Sequence, residues 1–192
     1  MEFYQKHKTF WDKTAPEMYL RWSTQDPWMT NIIVPAIESE VYPPQKLLDI
    51  GCGQGILYDR LPESVRTCYT GMDFSQSMLD VFSKRQVNAN VVLDDIIDSK
   101  LPDFFADVSV CLNTLMYFDK DLPIALSTIN RLTTRLSFLS VPVKESKRID
   151  EQHVNSNISD LIKMVENIFC TTNIDVSDLL CNNYVLMRVN KK

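Results

Sequence analysis

The chain contains little glycine, little histidine and no long apolar run. Its 192 residues include four glycines and two histidines. No stretch approaches the roughly 20 apolar residues that span a bilayer, and the charged N-terminus lacks the apolar core of a secretory signal. The sequence therefore predicts a cytoplasmic protein with no membrane partner.

Cysteine spacing and net charge exclude two further classes of protein. The five cysteines form no CxxC pair, and an odd number cannot pair completely within one chain. We therefore expect reduced thiols and no metal site. The net charge of −5 argues against the basic face that neutralises nucleic-acid phosphates. Lys144, Lys147 and Arg148 form only a short basic group in a polar segment, so we expect no nucleic-acid partner.

Apolar runs alternate with segments of helical period along most of the chain, which is typical of an α/β fold with a mostly parallel sheet. Strands are predicted at Lys46–Ile50, Thr67–Asp73, Asn90–Asp94, Asp107–Leu112 and Leu136–Val141. Helices are predicted at Ile56–Leu61, Ser75–Gln86, Leu122–Thr134 and Ile158–Phe169, with Ser75 as an N-cap. Thr172–Val176 and Tyr184–Val189 predict an antiparallel pair at the sheet edge, which completes a seven-stranded sheet.

The first 45 residues do not follow this alternation, and they contain all three tryptophans, Trp11, Trp22 and Trp28. We expect this segment to be helical and to pack over the sheet. Two roles stay open for its aromatic side chains, which could anchor the segment or form a lid over a substrate pocket. The prediction is a single domain over 1–192, with a cap at 1–45 and a core at 46–192.

Three of the four glycines lie in one loop, GCGQG, directly after a predicted buried strand. A residue without Cβ permits positive φ and lets a ligand lie against the backbone. Asp49 precedes this loop, Asp73 ends the next strand, and Asp94 and Asp95 end the third. Open α/β sheets bind ligands at this edge, and a carboxylate at Asp73 suits the two hydroxyls of a ribose.

The charge of these strand ends indicates which nucleotide would bind. A cluster of aspartates repels a pyrophosphate, and no GK[ST] sequence follows the glycines. S-adenosylmethionine carries no phosphate, and its sulfonium and ammonium groups are positive, so an acidic rim would favour it.

Four segments carry a family resemblance. LLDIGCGQG resembles the first motif of class I S-adenosylmethionine-dependent methyltransferases, and TGMDFSQSML resembles their acidic second motif. VVLDDIID and FADVSVCLNTLMYF resemble the third and fourth motifs. The resemblance covers roughly Lys46 to Val141. It implies a Rossmann-like methyltransferase fold that binds S-adenosylmethionine and releases S-adenosylhomocysteine.

The resemblance also assigns roles to single residues. It implies that Gly51, Cys52 and Gly53 line the methionine part of the cofactor, with Asp49 near its amino group. Asp73 would hold the ribose hydroxyls. Other residues would surround the adenosine and the sulfur: Phe74, Met78, Asp95, Ile96, Asn113 and Leu115.

The third motif leaves one alternative open, because either Asp94 or Asp95 could match its aspartate. Spacing to the following strand favours Asp95, which would accept a hydrogen bond from the adenine amino group.

Methyl transfer is an in-line displacement that depends on alignment, so no protein nucleophile is required. His153 and Tyr19 are the candidates for a catalytic base or an acceptor contact. The sequence NTLMY after the fourth strand differs from the [DN]PP[YFW] of adenine and glutamine methyltransferases. We therefore expect a small apolar or aromatic acceptor, with the accepting atom and the oligomeric state left open.

The sequence is also compatible with two other functions. The chain could be a non-catalytic module or partner subunit that binds S-adenosylmethionine or S-adenosylhomocysteine. An NAD-dependent dehydrogenase shares the glycine loop and the ribose carboxylate, but Asp49 and the GxGxG spacing disfavour it.

Overall fold

The computed structural model describes six ranges of the chain, which are 7–13, 28–42, 45–118, 120–142, 157–177 and 184–191. Tyr19, Trp22, His153 and the predicted basic group at 144–148 lie outside the described residues. No helix in the described ranges has both the length and the apolarity needed to cross a bilayer.

The strands of the described chain form one sheet. Their bounds are β1 Leu47–Ile50, β2 Tyr69–Asp73, β3 Val91–Leu93, β4 Ala106–Cys111, β5 Thr133–Pro142, β6 Ile174–Val176 and β7 Tyr184–Asn190. The order across the sheet is β3-β2-β1-β4-β5-β7-β6. Strands β1 to β5 are parallel, whereas β7 runs antiparallel between β5 and β6. The predicted mostly parallel sheet with an antiparallel edge pair is confirmed.

Helices connect the strands. They are α1 at 7–13, a π-helical turn Met29–Ile33 that continues into α2 Val34–Glu38, α3 Ile56–Arg60, α4 Glu63–Arg66, α5 Gln76–Arg85, a 3-10 turn Leu115–Tyr117, α6 Leu122–Leu132 and α7 Ile158–Phe169. Ser75 caps α5 as predicted, since its hydroxyl accepts from the Met78 N–H at 3.3 Å. Helix α4 and the 3-10 turn were not predicted, because three or four residues are too few to show a periodicity.

The sheet has a separate hydrophobic core on each face, because side chains alternate along each strand. On one face Leu48 and Ile50 pack with helices α6 and α7. On the other face Leu47 packs with helices α2 to α5. Strand β1 is buried on both sides, which is the burial that a central parallel strand requires.

The boundary between α6 and β5 differs from the prediction. Helix α6 ends at Leu132, not at Thr134, and β5 begins at Thr133, not at Leu136. Thr133 pairs with Ala106 of β4, and its hydroxyl donates to the Ile129 carbonyl at 2.8 Å. The helical pattern in the sequence extends to Thr134, but residues from Thr133 onward pair with β4. This strand pairing therefore sets the boundary between α6 and β5.

Candidate functional site

A cavity of about 540 Å³ opens at the carboxyl ends of the parallel strands. Most of the predicted cofactor residues line it: Asp49, Gly51, Cys52, Gly53, Asp73, Phe74, Met78, Ile96 and Asn113. They come from β1 and β2 and from the segments that follow each of the strands β1 to β4. Many of them are therefore distant from one another in sequence. The parallel sheet brings them together because all these strands end at the same edge.

Two predicted cofactor residues, Asp95 and Leu115, do not line the cavity, and their neighbours Asp94 and Met116 do. The Asp95 carboxylate lies 3.4 Å from the Lys8 ammonium of α1. Leu115 is the first residue of the 3-10 turn, and its side chain is buried in the hydrophobic core. Spacing alone could not separate such adjacent residues, because the turns after β3 and β4 decide which of them faces the opening.

The glycines of the loop serve two different purposes. Gly53 has a φ of +53°, and a Cβ placed on it would meet nothing within 4 Å. Gly55 has a φ of +82°, but its Cβ would lie 2.3 Å from the Phe82 ring. Gly55 is therefore required by internal packing, whereas Gly53 leaves the backbone open to the cavity.

Most of the loop's backbone N–H groups already donate within the protein; they belong to Gly51, Cys52, Gly53 and Gly55. The Met72 carbonyl accepts two of them, at 2.8 and 3.1 Å. The Asp73 carboxylate accepts the Gly53 N–H at 2.9 Å. A phosphate cradle needs such N–H groups free to point at the ligand. These four groups are therefore not available to bind a phosphate.

Asp73 links the end of β2 to the glycine loop and to the start of α5. One carboxylate oxygen accepts from Gly53, and the other accepts from the Ser75 N–H at 2.9 Å. Burial raises the pKa of Asp73 to about 6, although the hydrogen bonds from Ser75 and Gly53 oppose the rise. The carboxylate is thus held in one orientation, with lone pairs left for further donors.

Asp49 is the more deeply buried carboxylate of the loop, with 3% of its surface exposed. Burial raises its pKa to about 7, against the hydrogen bond that Tyr69 donates, and the nearby Asp73 charge raises it further. The Tyr69 hydroxyl lies 2.7 Å from the carboxylate. A cation bound beside Asp49 would favour its ionised form.

The cavity is acidic and has no cationic side chain in the part of the chain that the structure describes. Asp49, Asp73 and Asp94 line it, and no lysine, arginine or histidine is among the described lining residues. The lining therefore fits a positively charged, phosphate-free nucleoside and would repel a dinucleotide. S-adenosylmethionine has that chemistry.

Aromatic residues also line the cavity, namely Trp11, Trp28, Tyr117 and Tyr184. The Trp11 and Tyr117 ring centroids are 5.6 Å apart in an edge-to-face arrangement. Helix α1 is attached beside them, because the Ser75 hydroxyl donates to the Asp12 carboxylate at 2.6 Å. Two described tryptophans of the N-terminal segment, Trp11 and Trp28, therefore contribute directly to the cavity.

The thiol of Cys52 lies in the cavity wall, where only 8% of the residue is exposed. Burial and the Asp73 and Asp49 charges raise the pKa of this thiol well above its ordinary value. A protonated thiol is a poor nucleophile, so the geometry gives Cys52 a packing role.

Part of the chain matches a known protein family. Residues 47–135 match the family model described as "Methyltransferase domain". A search of curated proteins finds no significant match to the sequence.

Solved structures share the fold at low sequence identity. A magnesium protoporphyrin IX methyltransferase from Synechocystis, with bound S-adenosylmethionine, is 13% identical with a TM-score of 0.75 over 100% of this chain and 98% of its own. A possible histamine N-methyltransferase from Thermotoga maritima is 17% identical with a TM-score of 0.69, over 94% and 98%. A candidate methyltransferase from Haloferax volcanii, bound to the Trm112 methyltransferase activator, is 13% identical with a TM-score of 0.71, over 95% and 98%.

Proposed function

We propose that this chain is a class I S-adenosylmethionine-dependent methyltransferase that transfers a methyl group from S-adenosylmethionine to a small molecule. One observation carries the proposal: a single cavity joins the acidic ends of β1 and β2 to the aromatic side chains of the N-terminal segment. The acidic part of the cavity suits a cationic nucleoside, and the aromatic part suits a planar acceptor.

We assign the cofactor to the residues that line the acidic half. Asp73 binds the ribose hydroxyls with its remaining lone pairs, and Asp49 pairs with the ammonium group. Gly53 lets the methionine part lie against bare backbone. Phe74 and Ile96 flank the adenine, on the side of the cavity to which Asp94 contributes.

When bound, S-adenosylmethionine supplies an electrophilic methyl group on its sulfonium. The chain contributes alignment and exclusion of water, which together can account for several kcal/mol of a displacement barrier. Leu112, Met116 and Phe118 are buried and line the cavity. Burial raises the pKa of Tyr117 above its ordinary value, so its hydroxyl stays protonated and does not act as a base at neutral pH. Tyr19 and His153 remain predictions for that role.

The lining also favours one class of acceptor. Aromatic rings bind planar apolar groups and attract cations, whereas the carboxylates repel anions. The acceptor we propose is therefore a neutral or positively charged small aromatic molecule. Its accepting atom is an oxygen, nitrogen or sulfur that the cavity can align with the methyl group.

Two assays test this function. Thermal unfolding should shift upward with S-adenosylmethionine or S-adenosylhomocysteine and stay unchanged with NADH. A shift with NADH alone would identify a dehydrogenase. Methyl-labelled cofactor, offered with aromatic amines and phenols, should label those compounds and not the matching aromatic carboxylates.

A non-catalytic module that works with a partner subunit is the second candidate. The Haloferax volcanii structure supports only the partner subunit in this candidate, since that protein is a candidate methyltransferase bound to an activator. Tight binding of S-adenosylhomocysteine without label transfer to any compound in the panel would favour this candidate.

A further inference from the structure

Gln54 is a buried polar residue in the glycine loop. It lies between Gly53 and Gly55, lines the cavity and is 4% exposed. Within the described chain, neither its Nε2 nor its Oε1 has a hydrogen-bond partner. Buried amides nearly always have partners, so an unpaired one in a cavity wall points to a ligand.

The backbone of Gln54 is fixed, whereas its side chain has no hydrogen-bond partner among the described residues. The Arg85 guanidinium donates to the Gln54 carbonyl at 3.1 Å and also pairs with the Asp59 carboxylate at 2.7 Å. The loop position is therefore anchored from α5. Turning the amide toward the cavity breaks no hydrogen bond within the described residues, because it makes none.

The carboxylate of S-adenosylmethionine is the cofactor group that has no cationic partner among the described lining residues. S-adenosylmethionine ends in an amino acid, and its carboxylate finds no lysine, arginine or histidine among the described lining residues. Four backbone N–H groups of the loop are already used inside the protein. Among the described residues, the Gln54 amide offers two N–H groups without a partner in the same cavity lining as the Asp49 carboxylate.

We propose that Gln54 is a positioning residue for the amino-acid end of the cofactor. Its Nε2 donates to the cofactor carboxylate, and its Oε1 accepts from the neighbouring ammonium. This assignment rests on the proposed function. Gln54 thereby selects an amino-acid-bearing nucleoside over one that lacks the carboxylate.

Calorimetry with two ligands tests the assignment: S-adenosylhomocysteine and its decarboxylated analogue, which keeps the amine. The wild-type protein should prefer S-adenosylhomocysteine by about 10- to 100-fold, the effect of a hydrogen bond to a charged group. Gln54→Leu should abolish that preference by weakening only the carboxylate-bearing ligand. Gln86→Leu is the matched control, since the Gln86 amide donates to Asp59 and is not part of the cavity lining, and it should keep the preference.

Each other result is decisive. If Gln54→Leu retains the preference, or weakens both ligands equally, the assignment is wrong. A lower melting temperature of ligand-free Gln54→Leu would also overturn it, because an amide without partners should not stabilise the fold. If the wild-type protein binds neither ligand, the proposed function fails and this inference fails with it, which is a different outcome from loss of the preference alone.

Discussion

The two sides of the cavity are built in different ways. The strand-end wall consists of Asp49, the glycine loop and Asp73, and it is buried and fixed by backbone hydrogen bonds. The cap wall consists of Trp11, Trp28, Tyr117 and Tyr184, and its helix α1 is attached by side-chain contacts. The first wall is held by the backbone of β1, β2 and the loop between them, whereas the second is assembled from side chains of four separate segments. Changes in the strand-end wall should therefore affect folding and cofactor binding, and changes in the cap wall should affect the acceptor.

The largest effect is expected inside the strand-end wall, at Gly55. Gly55→Ala places a Cβ against the Phe82 ring at a φ of +82°, so we expect it to lower the free energy of unfolding by about 3–5 kcal/mol in urea titrations. Gly53→Ala is the control and should cost only about 1–2 kcal/mol, because nothing lies within 4 Å of its Cβ. Gly53→Ala should instead weaken S-adenosylhomocysteine. Equal losses of stability would contradict the distinction between the two glycines.

A second effect concerns pH and Asp49. The folded-state pKa of about 7 is above the ordinary 3.8, so the stability associated with the protonated carboxyl is present at low pH and is lost as the pH rises through about 7. Between about pH 5 and pH 8, the wild-type free energy of unfolding should fall about 2–3 kcal/mol more than that of Asp49→Asn. Urea titrations at several pH values measure the difference. Parallel pH profiles would show that the Asp49 carboxyl does not titrate as described.

The same ionisation should appear in ligand binding. A bound ammonium favours the charged form of Asp49, so the wild-type affinity for S-adenosylhomocysteine should increase as the pH rises toward 7. Asp49→Asn should lose this pH dependence.

Asp73→Asn should weaken S-adenosylhomocysteine by about 10- to 100-fold in calorimetry, because the ribose loses a charged acceptor. The amide oxygen can still accept one of the two N–H groups that Asp73 holds, so the protein should stay folded. Asp80→Asn, on the exposed face of α5, should leave the affinity unchanged. An unchanged affinity for Asp73→Asn would remove this residue from the binding site.

The smallest effect on stability is expected in the cap wall. Trp11 is half-buried, so Trp11→Ala should lower the free energy of unfolding by only about 1 kcal/mol. It should leave the affinity for S-adenosylhomocysteine unchanged and raise the KM of the aromatic acceptor. Phe10→Ala is the control, since Phe10 contacts Trp11 but is 47% exposed. If Trp11→Ala affects the cofactor and not the acceptor, the cap wall does not have the role proposed for it.

The sequence predicted the strand-end wall well, because local constraints determine it. Gly53 has a positive φ that is set within the loop, and the Ser75 cap follows from the start of α5. The burial of β1 on both faces is indicated by the apolar residues that flank Asp49 in the sequence. Such features depend on neighbours in sequence or on a regular period, so sequence alone can indicate them.

The choice between Asp94 and Asp95 could not be made in the same way. Lys8, which pairs with Asp95, is 87 residues away in the chain. The Asp94 carboxylate is taken up by the following turn, where it accepts from Ser99 and Lys100. Gln54 gave no sequence signal beyond its place between two glycines, since only its burial without a partner makes it informative.

By itself, the sequence determined the order of strands and helices and the acidic, glycine-containing edge, because periodicity and Cβ-free positions are properties of neighbouring residues. The tertiary structure alone decided which side chains face the cavity, since that depends on how segments far apart in the chain pack together. It also decided the ionisation of Asp49 and Asp73, because the free energy of a charge depends on the burial and the hydrogen bonds around it.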